Sequence, residues 1–191
     1  LIKRSDDIHA SLENHPEITD RPITIPVKTE AALIIVRVLS DPPQFVVIKD
    51  KDKSRFGFPF GGKESGQTDP SIFDKSLHET AVRETLEEIF FQVDLDFDIE
   101  VTEKNFIGKI VIRGNHIVYI FWIDVPADAP INRGEEQEAA FTVPLETIHW
   151  YIEEGMFLPK HSNSLIRFER FCENKGYTPL TLPTLVGEIA A

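Results

Sequence analysis

One cysteine, Cys172, leaves this 191-residue chain without an intramolecular disulfide or a multi-cysteine metal site. A small buried or half-buried apolar role fits it, and a reducing, cytoplasmic setting is expected. Long hydrophobic runs are lacking as well. The longest, Ala31 to Val38 and Ile117 to Val125, fall short of the roughly 20 residues a membrane-spanning helix needs, so no membrane role is expected. The N-terminus carries Lys3, Arg4, Asp6, Asp7 and Pro16 in place of an apolar signal core. Positive charge is scarce: 20 Lys and Arg stand against 32 Asp and Glu, a formal net charge of −12. Such a surface repels long nucleic acids, but small phosphorylated ligands stay accessible where a bound cation reverses the local field. The six histidines are scattered, none paired with a second ligand at zinc spacing.

What is present suffices for one core, with 41% of the residues hydrophobic. Residues 1–30, polar and interrupted by Pro16, Pro22 and Pro26, read as an N-terminal arm, residues 31–175 as the domain, and 176–191 as a C-terminal tail. Ala31 to Val38 is an apolar, β-branched run of the kind that forms a buried strand, and Phe45 to Ile48 reads as its return after the Ser40-Asp41-Pro42-Pro43 turn. Asp50 to Gly66 reads as a loop centred on Pro59-Phe60-Gly61-Gly62-Lys63. Its opening Asp-x-Asp is no calcium loop, because Gly61 stands where the twelfth-position glutamate is required.

Ser76 followed by Glu79 is a capping-box signature and predicts a helix from Leu77 to Ile89 or Phe90. Strands are predicted at Ile99–Val101, Phe106–Ile112, Ile117–Asp124 and Phe141–Val143, with a hairpin turn at Arg113-Gly114-Asn115-His116. Helices are predicted at Leu145–Glu154 and His161–Glu173. Trp122, Trp150, Tyr119 and Tyr151 read as packing residues.

Chemistry concentrates in Arg83-Glu84-Thr85-Leu86-Glu87-Glu88. At about 100° per residue, Glu84, Glu87 and Glu88 share one side of the helix, with Val82, Leu86 and Ile89 nearly opposite, which predicts a buried apolar face and a displayed carboxylate face. Glutamate-rich faces are commonly solvated surface. Three carboxylates so close repel one another unless cations sit on them, and hard oxygen ligands suit Mg²⁺ or Mn²⁺ better than zinc.

Strand, hairpin, Phe58-Pro59-Phe60-Gly61-Gly62-Lys63-Glu64 loop and helix, taken in that order over about residues 31–155, resemble the Nudix hydrolase superfamily, whose box reads G-x5-E-x7-R-E-U-x-E-E-x-G-U, with U an aliphatic residue. The resemblance implies an α/β (α+β) fold with a mixed β-sheet sandwiched between helices. It implies a Mg²⁺-dependent pyrophosphohydrolase that cleaves the phosphoanhydride of a nucleoside diphosphate linked to another moiety. Glu84, Glu87 and Glu88 correspond to its metal-binding carboxylates, Arg83 to its orienting arginine, and a Gly61 or Gly62 carbonyl completes the metal shell, with Gly62 favoured. A further glutamate from the later loop acts as ligand or base in relatives. Glu135, Glu136 and Glu138 compete for that place, with Glu136 preferred. Lys63 and Arg55 are candidates for neutralising phosphate oxygens, and the arm with the Phe-rich last helix could serve a homodimer.

The chain departs from that pattern. The box's first glutamate falls on Gln67 counted forward and on Lys75 counted back, so about eight residues are inserted before the helix. Arg83 then needs another partner, for which Glu79 is the candidate. Phe90 replaces the glycine that ends the helix, and Thr85 an aliphatic residue. Ile72 and Phe73 in the insertion are expected to dock, on the core or against substrate. A Nudix-like nucleotide-binding domain that has lost catalysis is the alternative reading. A prenyl diphosphate isomerase lacks a suitably placed cysteine.

Overall fold

The computed structural model describes residues 29–64, 74–112 and 115–184. The N-terminal arm before Thr29, Ile72 and Phe73 of the insertion, Arg113 and Gly114 of the hairpin turn, and the end of the tail lie outside these residues. Among the described residues the elements are β1 (Thr29–Val38), β2 (Gln44–Asp50), β3 (Phe60–Gly62), α1 (Leu77–Ile89), β4 (Phe106–Ile112), β5 (His116–Val125), β6 (Gln137–Val143), α2 (Leu145–Glu153) and α3 (Pro159–Asn174), with a 3₁₀ turn at Glu103–Asn105 before β4.

The sheet is mixed and runs β4-β5-β1-β2-β6, with β3 also on β1. The apolar run that predicted a buried strand is the central one. Its residues alternate between two cores, Leu33 and Ile35 facing one, Ala32, Ile34 and Val36 the other. Helix α3 closes the first with Leu165, Phe168 and Cys172, spaced for one helical face, and α1 closes the second with Ala81 and Ile89. The result is the α+β sandwich expected from the sequence.

One edge of β1 is shared by two strands. Near its C-terminal end Arg37 and Val38 pair with Phe45 and Gln44 of β2. Near its N-terminal end Ala31, Ala32 and Leu33 pair with Gly62, Gly61 and Phe60 of β3. From sequence β3 reads as loop, because glycine and proline mark turns. Here the ladder to β1 supplies what propensity lacks, and it fixes the two glycines beside α1.

Other sequence expectations are corrected. Ile99–Val101 is not a strand. From Phe91 to Glu100 partly buried apolar residues do alternate with exposed polar ones, but Val93, Leu95, Phe97 and Ile99 pack on the α1-side core with no ladder partner. Period-two burial needs a surface to lie on, whereas a strand also needs a backbone to pair with. Strand β6 starts at Gln137, inside the segment read as loop, because β2 offers an open edge. Trp150 is half exposed on α2, while Trp122 and Cys172 are buried as expected. Among the described residues no helix is long and apolar enough to cross a membrane.

Candidate active site

The site begins at the start of α1. Ser76 Oγ accepts the Glu79 N–H at 3.2 Å, as the capping signature requires, and the Glu79 carboxylate accepts the Lys75 N–H at 2.7 Å. Glu79 is thereby spent on the helix start and is not the partner Arg83 was expected to need. That partner is Asp74. Arg83 Nε donates to its Oδ1 at 3.1 Å and Nη2 to its Oδ2 at 2.9 Å, a two-pronged bond that fixes the guanidinium plane. Asp74 also accepts the Glu64 N–H and the Thr80 hydroxyl. Burial alone would raise its carboxyl, but the bonds from Arg83 and the Glu64 N–H outweigh it and hold the group below the usual range. Sequence reasoning missed Asp74, although it lies one residue before Lys75, where the register counted back from Arg83 calls for a carboxylate.

Arg83 spreads its remaining donors over the glycine strand and its own helix. Nη2 donates to Gly62 O at 2.9 Å, and Nη1 meets Glu87 Oε2 at 2.9 Å and Glu84 Oε1 at 2.7 Å. The predicted helix faces need correction here. Glu84 and Glu88 are only 7% and 8% exposed and sit in the buried arc with Ala81, Thr85 and Ile89, whereas Leu86 is 39% exposed. The reason is Gly61: a Cβ there would come within 1.9 Å of the Glu84 carboxyl, so a residue without a side chain lets the carboxylate side of α1 press onto β3. Thr85 is buried without penalty, its hydroxyl donating to Ala81 O.

Burial of these acids has an electrostatic consequence. Glu88 accepts the Phe60 N–H at 2.7 Å and Gln137 Nε2 at 2.9 Å. Desolvation nevertheless raises its carboxyl to about 9, with Glu84, Asp50 and Glu136 pushing the same way against the Phe60 bond. Desolvation likewise raises Glu84 to about 7, offset in part by Arg83 and reinforced by Glu87. Glu87 is more exposed.

The C-terminal end of α1 is closed by the later loop. With no glycine at the helix end, Phe90 takes φ −127° and buries its ring, and the left-handed residue is Gln92 at φ 56°. The orphan carbonyls of the last turn are satisfied instead by Asn132 N–H on Ile89 O at 2.8 Å and Gly134 N–H on Glu88 O at 3.0 Å. A Cβ on Gly134 would sit 2.1 Å from Glu87 O. This close approach carries the following glutamates to the helix. Glu135 and Glu136 line, with Glu84, Glu87 and Glu88, a cavity of about 510 Å³, and Glu138 turns away to pair with Lys49 at 2.7 Å. Of the three competing loop glutamates, two therefore reach the site. Glu64, not singled out from sequence, also lines it.

Neither Lys63 nor Arg55 lines this cavity. Arg55 belongs to a neighbouring one, and the Lys63 backbone N–H is bound to Glu30 O. Among the described residues no three His, Cys, Asp or Glu side chains are gathered closely enough to hold a metal as they stand. Arg83 draws Glu84 and Glu87 to itself. The donor set still fits a hard divalent cation: it is all oxygen, and two of its carboxylates are pushed towards protonation by burial and like charge, a cost that a cation would relieve.

No family model matches the chain, and no curated protein does. Solved structures do. The NUDIX domain of Shewanella oneidensis NrtR, solved as a complex with ADP ribose, is similar over 88% of this chain and 98% of that one, with TM-score 0.57 and 12% identity. A NUDIX hydrolase from Nitrosomonas europaea is similar over 81% and 76%, with TM-score 0.57 and 14% identity. The MutT protein of Methanosarcina mazei Go1 is similar over 78% and 96%, with TM-score 0.51 and 20% identity. The chain has the Nudix fold.

Proposed function

We propose that this Nudix-fold chain is a Mg²⁺-dependent hydrolase that cleaves a phosphoanhydride in a small nucleoside-diphosphate-like substrate. The observation that carries the reading is the convergence of Glu84, Glu87 and Glu88 of α1 with Glu135 and Glu136 of the later loop around one cavity beside the glycine strand. Its size falls within the roughly 300–1,000 Å³ of small-molecule sites. Glu84, Glu87 and Glu88 would hold the cation, with the Gly62 carbonyl beside them. A divalent cation supplies charge neutralisation, polarisation of a phosphoryl oxygen and a more acidic water.

The chain's own residues supply the rest. Arg83, fixed by Asp74, is the positioning residue, holding Glu84 beside the glycine strand and pairing with Glu87. Glu136 is the base we assign to the attacking water: its carboxylate takes the proton as water oxygen adds to phosphorus and the bridging oxygen leaves with the other phosphate. Gln137 and the Phe60 N–H keep Glu88 in place from both sides.

The test is release of phosphate or of a nucleoside monophosphate from a panel of nucleoside-diphosphate derivatives, with and without Mg²⁺. Mg²⁺-dependent release that falls by orders of magnitude in Glu87→Gln, with an unchanged melting temperature, is expected. Wild-type turnover in Glu87→Gln would overturn the metal assignment. Ligand binding with no release from any substrate would leave a binding domain instead.

A further inference from the structure

Next to the carboxylate cavity, and sharing Phe60 with it, lies a smaller cavity of about 120 Å³. It is the smaller of the two and has room for a compact polyatomic group. Its charge runs against that of the chain. Lys53, Arg55 and Lys160 line it with one carboxylate, Asp50, in a protein whose formal net charge is −12. Lys53 is held by Asp52 at 3.2 Å and lies 3.7 Å from Asp50. Lys160 Nζ stands 3.1 Å over the Phe60 ring, half-buried at the start of α3. The first turn of that 16-residue helix has no side-chain cap.

His161 supplies an independent observation. It lines the cavity, is 2% exposed, and its Nδ1 accepts the Phe58 N–H at 2.8 Å. That bond places the ring hydrogen on Nε2, which is buried with no hydrogen-bond partner. Burial, with Lys160 and Lys53 nearby, keeps the ring neutral. A neutral ring in the wall of a cavity that three cationic side chains line adds no charge of its own, and the occupant such surroundings favour is an anionic group.

We propose that this second cavity, walled by Lys53, Arg55, Lys160 and His161, binds a phosphate group of the substrate that lies beyond the cleaved diphosphate. The proposal rests on the hydrolase reading for the word substrate, and on the cavity alone for the anion. Phe60 links the two places: its N–H donates to Glu88 and its ring lies under Lys160. A ligand whose diphosphate sits at the α1 carboxylates thus extends its next phosphate towards Lys160. The favoured substrate class carries a phosphate in addition to the diphosphate, as in a nucleoside triphosphate, over a diphosphate flanked by uncharged sugars.

The experiment has two arms. In the first, inorganic phosphate is titrated calorimetrically into the metal-free full chain, with the His161 ring ¹⁵N resonances followed by NMR. The expected result is saturable binding, a shift of the Nε2 resonance, and an affinity about tenfold weaker or worse in both Lys160→Met and Arg55→Met, the loss of one charge-assisted bond each. Glu87→Gln should bind phosphate as wild type does. Arg55 is exposed, so its variant keeps the test valid if Lys160→Met folds poorly. Equal affinity in both variants, absence of binding, or an unmoved Nε2 resonance at saturation overturns the proposal.

In the second arm, Lys160→Met should raise KM for a nucleoside triphosphate and leave KM for ADP-ribose unchanged. An equal rise for both refutes the placement of the extra phosphate. Should the wild type hydrolyse nothing, the hydrolase reading falls while the first arm still decides the cavity.

Discussion

Asp74 is the residue on which the local geometry turns. It anchors Arg83 with two bonds and takes two more from Glu64 and Thr80, all at a buried position. Asp74→Asn keeps the shape and one acceptor oxygen but loses the charge, so it should lower unfolding free energy by about 1–3 kcal/mol, measured by urea unfolding. Turnover should fall further than stability explains, because Arg83 loses its fixed plane. Wild-type stability and turnover would remove Asp74 from the support of Arg83. Glu88 behaves differently. Its carboxyl is raised to about 9, so in the metal-free protein near neutral pH it is mostly protonated, and a glutamine resembles that form. Glu88→Gln should therefore leave the metal-free melting temperature within a degree or two, yet lose most of the rise that Mg²⁺ gives the wild type. A wild-type response to Mg²⁺ in this variant would take Glu88 out of the ligand set.

Between elements, the contact of β3 with α1 decides whether the carboxylates converge. Gly61 and Gly62 are adjacent and alike in sequence but unlike in surroundings. A Cβ on Gly61 would strike the Glu84 carboxyl, whereas one on Gly62 meets nothing within 4 Å. Gly61→Ala should displace Glu84 and reduce kcat at least tenfold with little change in far-ultraviolet circular dichroism, and Gly62→Ala should retain most activity. Equal effects would mean that the glycines serve backbone conformation and not close approach. At the other end of α1, Gly134 plays the same part against Glu87 O, and its N–H caps Glu88 O. The helix Leu77–Ile89 is legible in the sequence to within a residue because capping and breaking signals are local. Strand β3 is not legible there, since its three residues are strand only because β1 lies alongside.

At the scale of the whole molecule, burying acids next to one another makes stability depend on pH and on metal together. Glu84 and Glu88 have folded values raised to about 7 and about 9 from an ordinary 4.5, so above 4.5 the folded state holds protons that the unfolded chain has released. Stability from these groups is fully present below 4.5 and is lost as pH rises. His161 acts oppositely, since its folded value is depressed and it loses stability only as pH falls below 6.5. Lys160, lowered to about 8, begins to matter above that value. Between pH 6.5 and 8 the carboxylates are left to set the slope. The metal-free melting temperature should decline across that window, and saturating Mg²⁺ should raise it more at pH 8 than at 6.5, because the ion binds the deprotonated acids and only in the folded state. A melting temperature that climbs with pH in the absence of metal would contradict the electrostatics assigned to α1.

Sequence alone determined what depends on neighbours along the chain. The apolar, β-branched run of Ala31 to Val38, the Ser76 cap, the grouping of Glu84, Glu87 and Glu88, and the resemblance over about residues 31–155 were enough for the fold and for where the acids lie along the helix. Tertiary structure decided what depends on residues distant in sequence. Arg37 reads as an anomaly in an apolar strand until β5 brings Asp124 within 2.7 Å, 87 positions away. It also turned α1 so that Glu84 and Glu88 face inward, a rotation that a helical wheel cannot fix because polarity says which sides differ but not which side finds a neighbour with room for it. Here the room is the missing side chain of Gly61, and the partner that makes burial tolerable is an arginine held by Asp74, ahead of the helix in sequence and beside it in space.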